Sequence, residues 1–226
     1  MHAAELWRYP VKSMGGERMP VAEVTPEGLA GDRRVAVFDR RSQRPDHPIS
    51  AREHPQLLGF RARWQTGGPL VEGPGLAATR WDRPQVRQQV STACGRDLEL
   101  AEVPLGAFDD SALHVLGMAS VRQLASEVGW AVYHRRFRAN IYLDGGGLEP
   151  DSEPVWASRH FHVGSATISV IEGCPRCAVT TWDPTALRAE PGLLRHMVRT
   201  RNAVLGVYAC VVSPGRVAAG DRLTWL

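Results

Sequence analysis

The sequence has almost no lysine: of 27 basic residues only Lys12 carries an ammonium, and the rest are arginine. Genome base composition accounts for such a bias but not for where the one ammonium sits. Cysteine is also scarce. Cys94, Cys174, Cys177 and Cys210 are too few for a disulfide scaffold in a chain of 226 residues. No His-x₃-His and no second Cys-x-x-Cys accompanies Cys174 and Cys177, which argues against a structural zinc site. There is no four-cysteine run for an iron–sulfur cluster, no Cys-x-x-Cys-His for haem, and no Gly-x-Gly-x-x-Gly loop after a strand for a dinucleotide. No segment approaches the roughly 18 uninterrupted apolar residues of a membrane span, so no membrane association is expected. The start, Met1 to Glu5, lacks both a basic cluster and an apolar run, so no secretory or transit segment is expected and a cytoplasmic location follows by default. A net charge of +3 is too small, without a recognised binding motif, to indicate a nucleic-acid partner. Repeats and low-complexity tracts are absent.

What the chain does have is glycine and proline, 22 and 16 residues, which implies many tight turns. The expected fold is mixed α/β and predominantly β, with a few short helices. Glu5–Lys12 reads as an edge strand or a strand turning into a loop at Pro10, Val35–Phe38 as a strand buried on both faces, and 57–64 and 98–103 as further strands. Residues 66–84 read as loops around at most one weak strand. The apolar spacing of Met118, Val121, Leu124, Ala125 and Val128 predicts a helix over 119–128 stopped by Gly129, and 193–199 a shorter one. Strands are expected at 139–143, 161–163, 166–171, 178–182 and 204–212, with the last turning through Ser213-Pro214-Gly215 into a closing hairpin. A division near 93–96 gives two units, 1–95 and 96–226.

Chemistry concentrates at Glu172-Gly173-Cys174-Pro175-Arg176-Cys177, followed by Thr180-Thr181-Trp182-Asp183-Pro184. The two thiols admit several readings: half a zinc site, a redox pair, two core cysteines, or one accessible thiolate beside Arg176 that would suit a soft metal. Groups able to hold a phosphate occur elsewhere: Lys12-Ser13 on a glycine bend, Arg33-Arg34 after Gly31-Asp32, Asp110-Ser111 ahead of the first long helix, and Arg135-Arg136-Phe137-Arg138-Ala139-Asn140.

In order, Tyr9-Pro10-Val11-Lys12-Ser13 with Gly16-Glu17, Gly28-Leu29-x-Gly31-Asp32-Arg33, Phe137-Arg138-Ala139-Asn140-Ile141, Cys174-Pro175-Arg176-Cys177 with Thr180-Thr181-x-Asp183-Pro184, and Gly206-Val207-Tyr208 with Gly220-Asp221 resemble the MOSC family. The resemblance runs from about Leu6 to Leu226 and is nearest the amidoxime-reducing branch and its bacterial relatives. It implies a MOSC β-barrel packed on an N-terminal MOSC β-rich region, with the molybdenum cofactor (molybdopterin) between them. Cys177 would be the catalytic residue and metal ligand. Lys12, Ser13, Arg33, Ser111 and Arg138 would contact the cofactor's phosphate and pterin, with Asn140, Cys174 and Arg176 beside them. Ala139 stands where relatives often have proline, and Pro175 where the amidoxime-reducing relatives have serine.

The activity so implied is reduction of an N-hydroxylated small molecule, with electrons from an external ferredoxin, flavin or haem protein, since no carrier is built into this sequence. Two other roles fit the same residues: sulfur transfer through a Cys177 persulfide, and non-catalytic carriage of the cofactor.

Overall fold

Leu113–Gly117, buried along its whole length although it includes His114, lies inside the largest sheet. The computed structural model describes residues 1–226. In chain order its elements are β1 (His2–Arg8), β2 (Glu17–Met19), β3 (Val21–Thr25), β4 (Gly28–Leu29), β5 (Val35–Asp39), β6 (Arg61–Gln65), β7 (Gly68–Gly73), β8 (Leu76–Arg80) and α1 (Pro84–Cys94). Then follow β9 (Leu98–Glu102), β10 (Leu113–Gly117), α2 (Met118–Val128), β11 (Ile141–Asp144), β12 (His160–Val163), β13 (Ala166–Pro175), α3 (Pro191–Arg201), β14 (Val204–Ser213), β15 (Gly215–Ala218) and β16 (Leu223–Trp225).

Eight strands form one curled sheet in the order β16-β12-β13-β14-β10-β11-β1-β2. Its only parallel pair, β10 with β11, is joined through α2, as a parallel connection requires a crossover. Val121 and Leu124 bury one side of α2, and Gly129 ends it in the left-handed conformation. A flap of β15, β3 and β4 packs Val24, Leu29 and Val217 into the same core as Leu113, Ile141 and Ile168. Ala3, Leu6, Met19, Ala22, Val24 and Leu29 therefore share a core with the C-terminal half, while Val11 and Met14 do not. A second core, including Val35, Val37, Phe60, Val86 and Leu98, belongs to the smaller lobe, where β5 pairs with β9 and β6, β7 and β8 form a meander.

The β-rich architecture agrees with the expectation from the sequence, and four local readings change. Residues 66–84 contain the β7–β8 hairpin, whose apolar positions are too sparse to announce it, and α1 opens at Pro84 immediately after. The stretch 57–64 begins in a 3₁₀ turn, Pro55–Gly59, before becoming β6. Residues 178–181 form a 3₁₀ turn rather than a strand, because the Thr180 and Thr181 hydroxyls donate back to the carbonyls of Cys177 and Ala178 at 2.9 and 2.7 Å. The closing hairpin is replaced by exchange: β15 crosses to β3, and β16 pairs with β12.

Candidate functional site

A cleft open to solvent is lined from both lobes. The nine residues that the resemblance assigns to the site border it, Lys12, Ser13 and Arg33 on one side and Ser111, Arg138, Asn140, Cys174, Arg176 and Cys177 on the other. Of the other phosphate candidates Asp110 joins them, whereas Arg34, Arg135 and Arg136 do not. Three of the nine, Ser13, Arg33 and Arg138, hold positive φ angles of 68°, 52° and 55°. Such backbone is costly for residues with a side chain and gathers where side chains must be aimed.

The aiming is done by buried polar bonds. Asp32, fully buried on the turn that follows Gly31, accepts from the Tyr9 N–H at 2.6 Å and pairs with Arg33. Asn140 braces that carboxylate: its Nδ2 donates to Asp32 at 3.1 Å and to the Trp7 carbonyl at 3.2 Å, while its Oδ1 accepts from the His114 N–H at 3.2 Å. Both donor hydrogens of Asn140 are thus engaged within the protein. Ser13 Oγ accepts from the Ala51 N–H at 2.9 Å and Ser111 Oγ donates to the Ala209 carbonyl at 2.6 Å. The Ser13 hydroxyl proton remains available to an acceptor in the cleft.

Arg138 is the least neutralised of the cations. Nη1 donates to the Met14 carbonyl at 2.6 Å, Nη2 is buried without a partner, and the guanidinium lies 4.3 Å from the Tyr9 ring centre. Burial, with repulsion from Arg33 added, pushes its pKa down to about 10. Ala139 uses its N–H to donate to the Tyr142 hydroxyl at 3.2 Å, a bond a proline at this position could not make.

Lys12 is buried rather than exposed on its bend, at 8% accessibility. Its ammonium donates to the Ala107 carbonyl at 2.9 Å and to Asp109 at 2.5 Å. Burial lowers the pKa of Lys12 despite Asp109. Lys12→Ala strands the Ala107 carbonyl, whereas Asp109, with 62% of its side chain exposed, returns to water. The expected cost is about 1–3 kcal/mol in urea unfolding, in addition to any loss of anion binding.

The two thiols differ sharply. Cys174 is 1% exposed and accepts from Arg176 Nη1 at 2.8 Å, while Arg176 Nη2 donates to the Phe137 carbonyl at 2.7 Å. Arg176 therefore attends Cys174, not Cys177 as its sequence position suggests. Cys177 is half-buried, caps the 3₁₀ turn 178–181, and is approached by Arg52, whose pKa is raised by hydrogen bonding and attraction to that sulfur.

Sequence reasoning missed Arg52, one arginine among many on a loop with nothing to mark it. It also left Asp109, His114 and Tyr208 without roles. His114 is 5% exposed, and its Nε2 lies 3.3 Å from the Leu205 carbonyl; burial and the nearby Arg176 hold its pKa well below the usual imidazole range, so it is neutral. Burial and contact with Cys174 push Tyr208 up. Gly206, at φ +73°, lets the backbone pass His114: an added Cβ would sit 2.6 Å from Nε2 and 2.7 Å from the Val115 carbonyl. Gly206→Ala is expected to cost about 2–4 kcal/mol, read as a lower chemical-denaturation midpoint.

Chemically, this is a cationic cleft with one accessible thiol and no cluster of three His, Cys, Asp or Glu side chains placed to hold a metal ion.

Comparison with known proteins bears on that arrangement. The family profile described as the MOSC domain matches residues 101–224, and that of the MOSC N-terminal beta barrel domain matches residues 1–107. Mitochondrial amidoxime reducing component 2 of Rattus norvegicus is 22% identical, over 80% of this chain and 66% of its own length. Mitochondrial amidoxime-reducing component 1 of Homo sapiens is 23% identical over 96% of this chain and 81% of its length. Molybdenum cofactor sulfurase of Caenorhabditis briggsae is 25% identical over 90% of this chain but only 32% of its length. Among solved structures, the YUAD protein from Bacillus subtilis shares the fold with a TM-score of 0.55 at 14% identity, covering 98% of this chain and 92% of that one.

Proposed function

This chain belongs to the MOSC family, and from that premise we propose that it is a molybdenum-cofactor-dependent oxidoreductase that reduces N-hydroxylated small molecules. The supporting observation is a half-buried thiol, Cys177, in the same cleft as three arginines without ion-pair partners, Arg52, Arg138 and Arg176, and two paired cations, Lys12 with Asp109 and Arg33 with Asp32. Unpartnered buried nitrogens, Arg138 Nη2 and Arg176 Nε, are what an anionic ligand would satisfy. The absence of a side-chain cage also fits, since a metal delivered in an organic ligand needs only one further thiolate from the protein.

In this reading Cys177 supplies that thiolate, with the Arg52 guanidinium beside it. Lys12, Ser13, Arg33 and Arg138 hold the phosphate and pterin, Lys12 by exchanging Asp109 for the phosphate. Ser111 and Arg176 close the sides, Cys174 fixes Arg176, and Asn140 keeps Asp32 and Arg33 aligned. The bound cofactor would supply two-electron chemistry: the N–O bond breaks and, with two protons, the oxygen leaves as water. The electrons come from a separate ferredoxin, flavin or haem protein. Neutral His114 on the cleft floor keeps further positive charge away from the Cys174–Arg176 pair.

Protein made in a molybdenum-replete host tests the reading by elemental analysis and by turnover of benzamidoxime with an artificial reductant. Stoichiometric molybdenum with turnover supports it. Metal-free protein from a host that loads other molybdoenzymes overturns it. Cyanide-labile sulfur without turnover would replace it with sulfur transfer, the role that the name of the Caenorhabditis briggsae relative suggests.

A further inference from the structure

A second pocket, open to solvent, lies on the other side of Arg138 and Val179, which line both spaces. Its floor is aromatic: Trp7 and Tyr9 stack with ring centres 6.4 Å apart, and Phe60 and Trp182 complete the wall. Its charged lining is wholly arginine, with no acidic residue among the lining side chains. Arg136 is neutralised by Asp183 and Glu190 at 2.8 and 2.6 Å, but Arg61, Arg135 and Arg138 form no ion pair. Arg135 lies 4.4 Å from the Tyr133 ring centre and 5.3 Å from that of Trp7, with its Nε buried and unpartnered. Flat faces beside uncompensated guanidinium forks suit one kind of guest, a planar ring carrying an anionic group.

We propose that this cavity is a second ligand site, taking a planar aromatic monoanion of the aryl carboxylate class. The ring lies against the partly exposed Trp182, since Trp7 is buried under Tyr9 and Arg135, and the carboxylate meets Arg135 and Arg61. The segment running from Cys177 through Val179 to Trp182 forms part of both walls, so this site abuts the cofactor cleft proposed above without depending on the cofactor's presence.

Isothermal titration of the protein as purified with 2-naphthoate tests it, with neutral 2-naphthamide and cationic 2-naphthylmethylammonium as comparators. Saturable naphthoate binding is expected, with both comparators weaker by about tenfold or more. Arg135→Gln should lose about the same factor for naphthoate while leaving naphthamide and the thermal midpoint unchanged, and Trp182→Ala should weaken naphthoate and naphthamide alike. No saturable heat, or equal binding of the ammonium compound, overturns the proposal. So does naphthoate binding that survives Arg135→Gln but is lost in Arg33→Gln, because the anion would then sit in the neighbouring cleft. Metal content plays no part in these readouts, so their failure is separable from failure of the oxidoreductase reading.

Discussion

Cys177→Ser is expected to reduce turnover of an N-hydroxylated substrate by at least ~100-fold, beyond what removal of an outer partner of a metal site costs. Molybdenum content should fall with it. The fold should not: Cys177 is half-buried, and serine leaves the carbonyl that receives the Thr180 N–H and hydroxyl in place, so the thermal midpoint should barely move. Cys174→Ser should behave in the opposite way. That side chain is buried against Arg176, so the substitution should lower stability while retaining most of the metal. Activity assays, elemental analysis and thermal melts on the two variants separate these outcomes. If Cys174→Ser alone abolishes metal retention, the assignment of Cys177 is wrong.

Arg136→Ala is expected to be the most damaging single substitution for folding, at about 3–5 kcal/mol. Only 1% of the Arg136 side chain is exposed, and it binds the Thr181 carbonyl at 3.0 Å together with both Asp183 and Glu190. Removal leaves two partly buried carboxylates facing each other. It also releases the segment after Cys177, so activity should fall with stability. The triple variant Arg136→Met, Asp183→Asn, Glu190→Gln removes the charges together and should recover most of the loss in urea unfolding. Partial burial raises Asp183, but the N–H groups of Ala186 and Thr185 and the Arg136 guanidinium outweigh it and hold Asp183 below the usual carboxylate range. Its contribution is therefore full above the ordinary carboxylate value and is lost as pH falls through the depressed one. The parent protein should show a steeper loss of stability in acid than the triple variant.

The parts of the site that could be read from the sequence are those where local chemistry and residue order coincide. Gly31-Asp32-Arg33 carries its own turn, and Cys174-Pro175-Arg176-Cys177 names both sulfurs. Strong periodicity likewise exposes α2. What could not be read depends on contacts distant in sequence. Arg176 lies next to Cys177 in the chain yet serves Cys174, and Arg52 reaches Cys177 from the other lobe. The burial of Lys12 is likewise decided by partners distant in sequence, Ala107 and Asp109. The 3₁₀ turn at 178–181 shows two threonine hydroxyls overriding β propensity, and no pattern of apolar residues registers that.

Leu6 faces Ile141 across the β1–β11 ladder, and Val24 faces Gly215 across β3–β15. The smaller lobe is strung between these partners. During synthesis β1 and β3 meet β2 and β4 early, but their other edges wait for β11 and β15, more than a hundred residues further along the chain. Loop closure on that scale makes assembly slow. The apolar edges of β1 and β3 are consequently the surfaces most exposed to aggregation while they wait, so refolding yield should fall steeply as protein concentration rises.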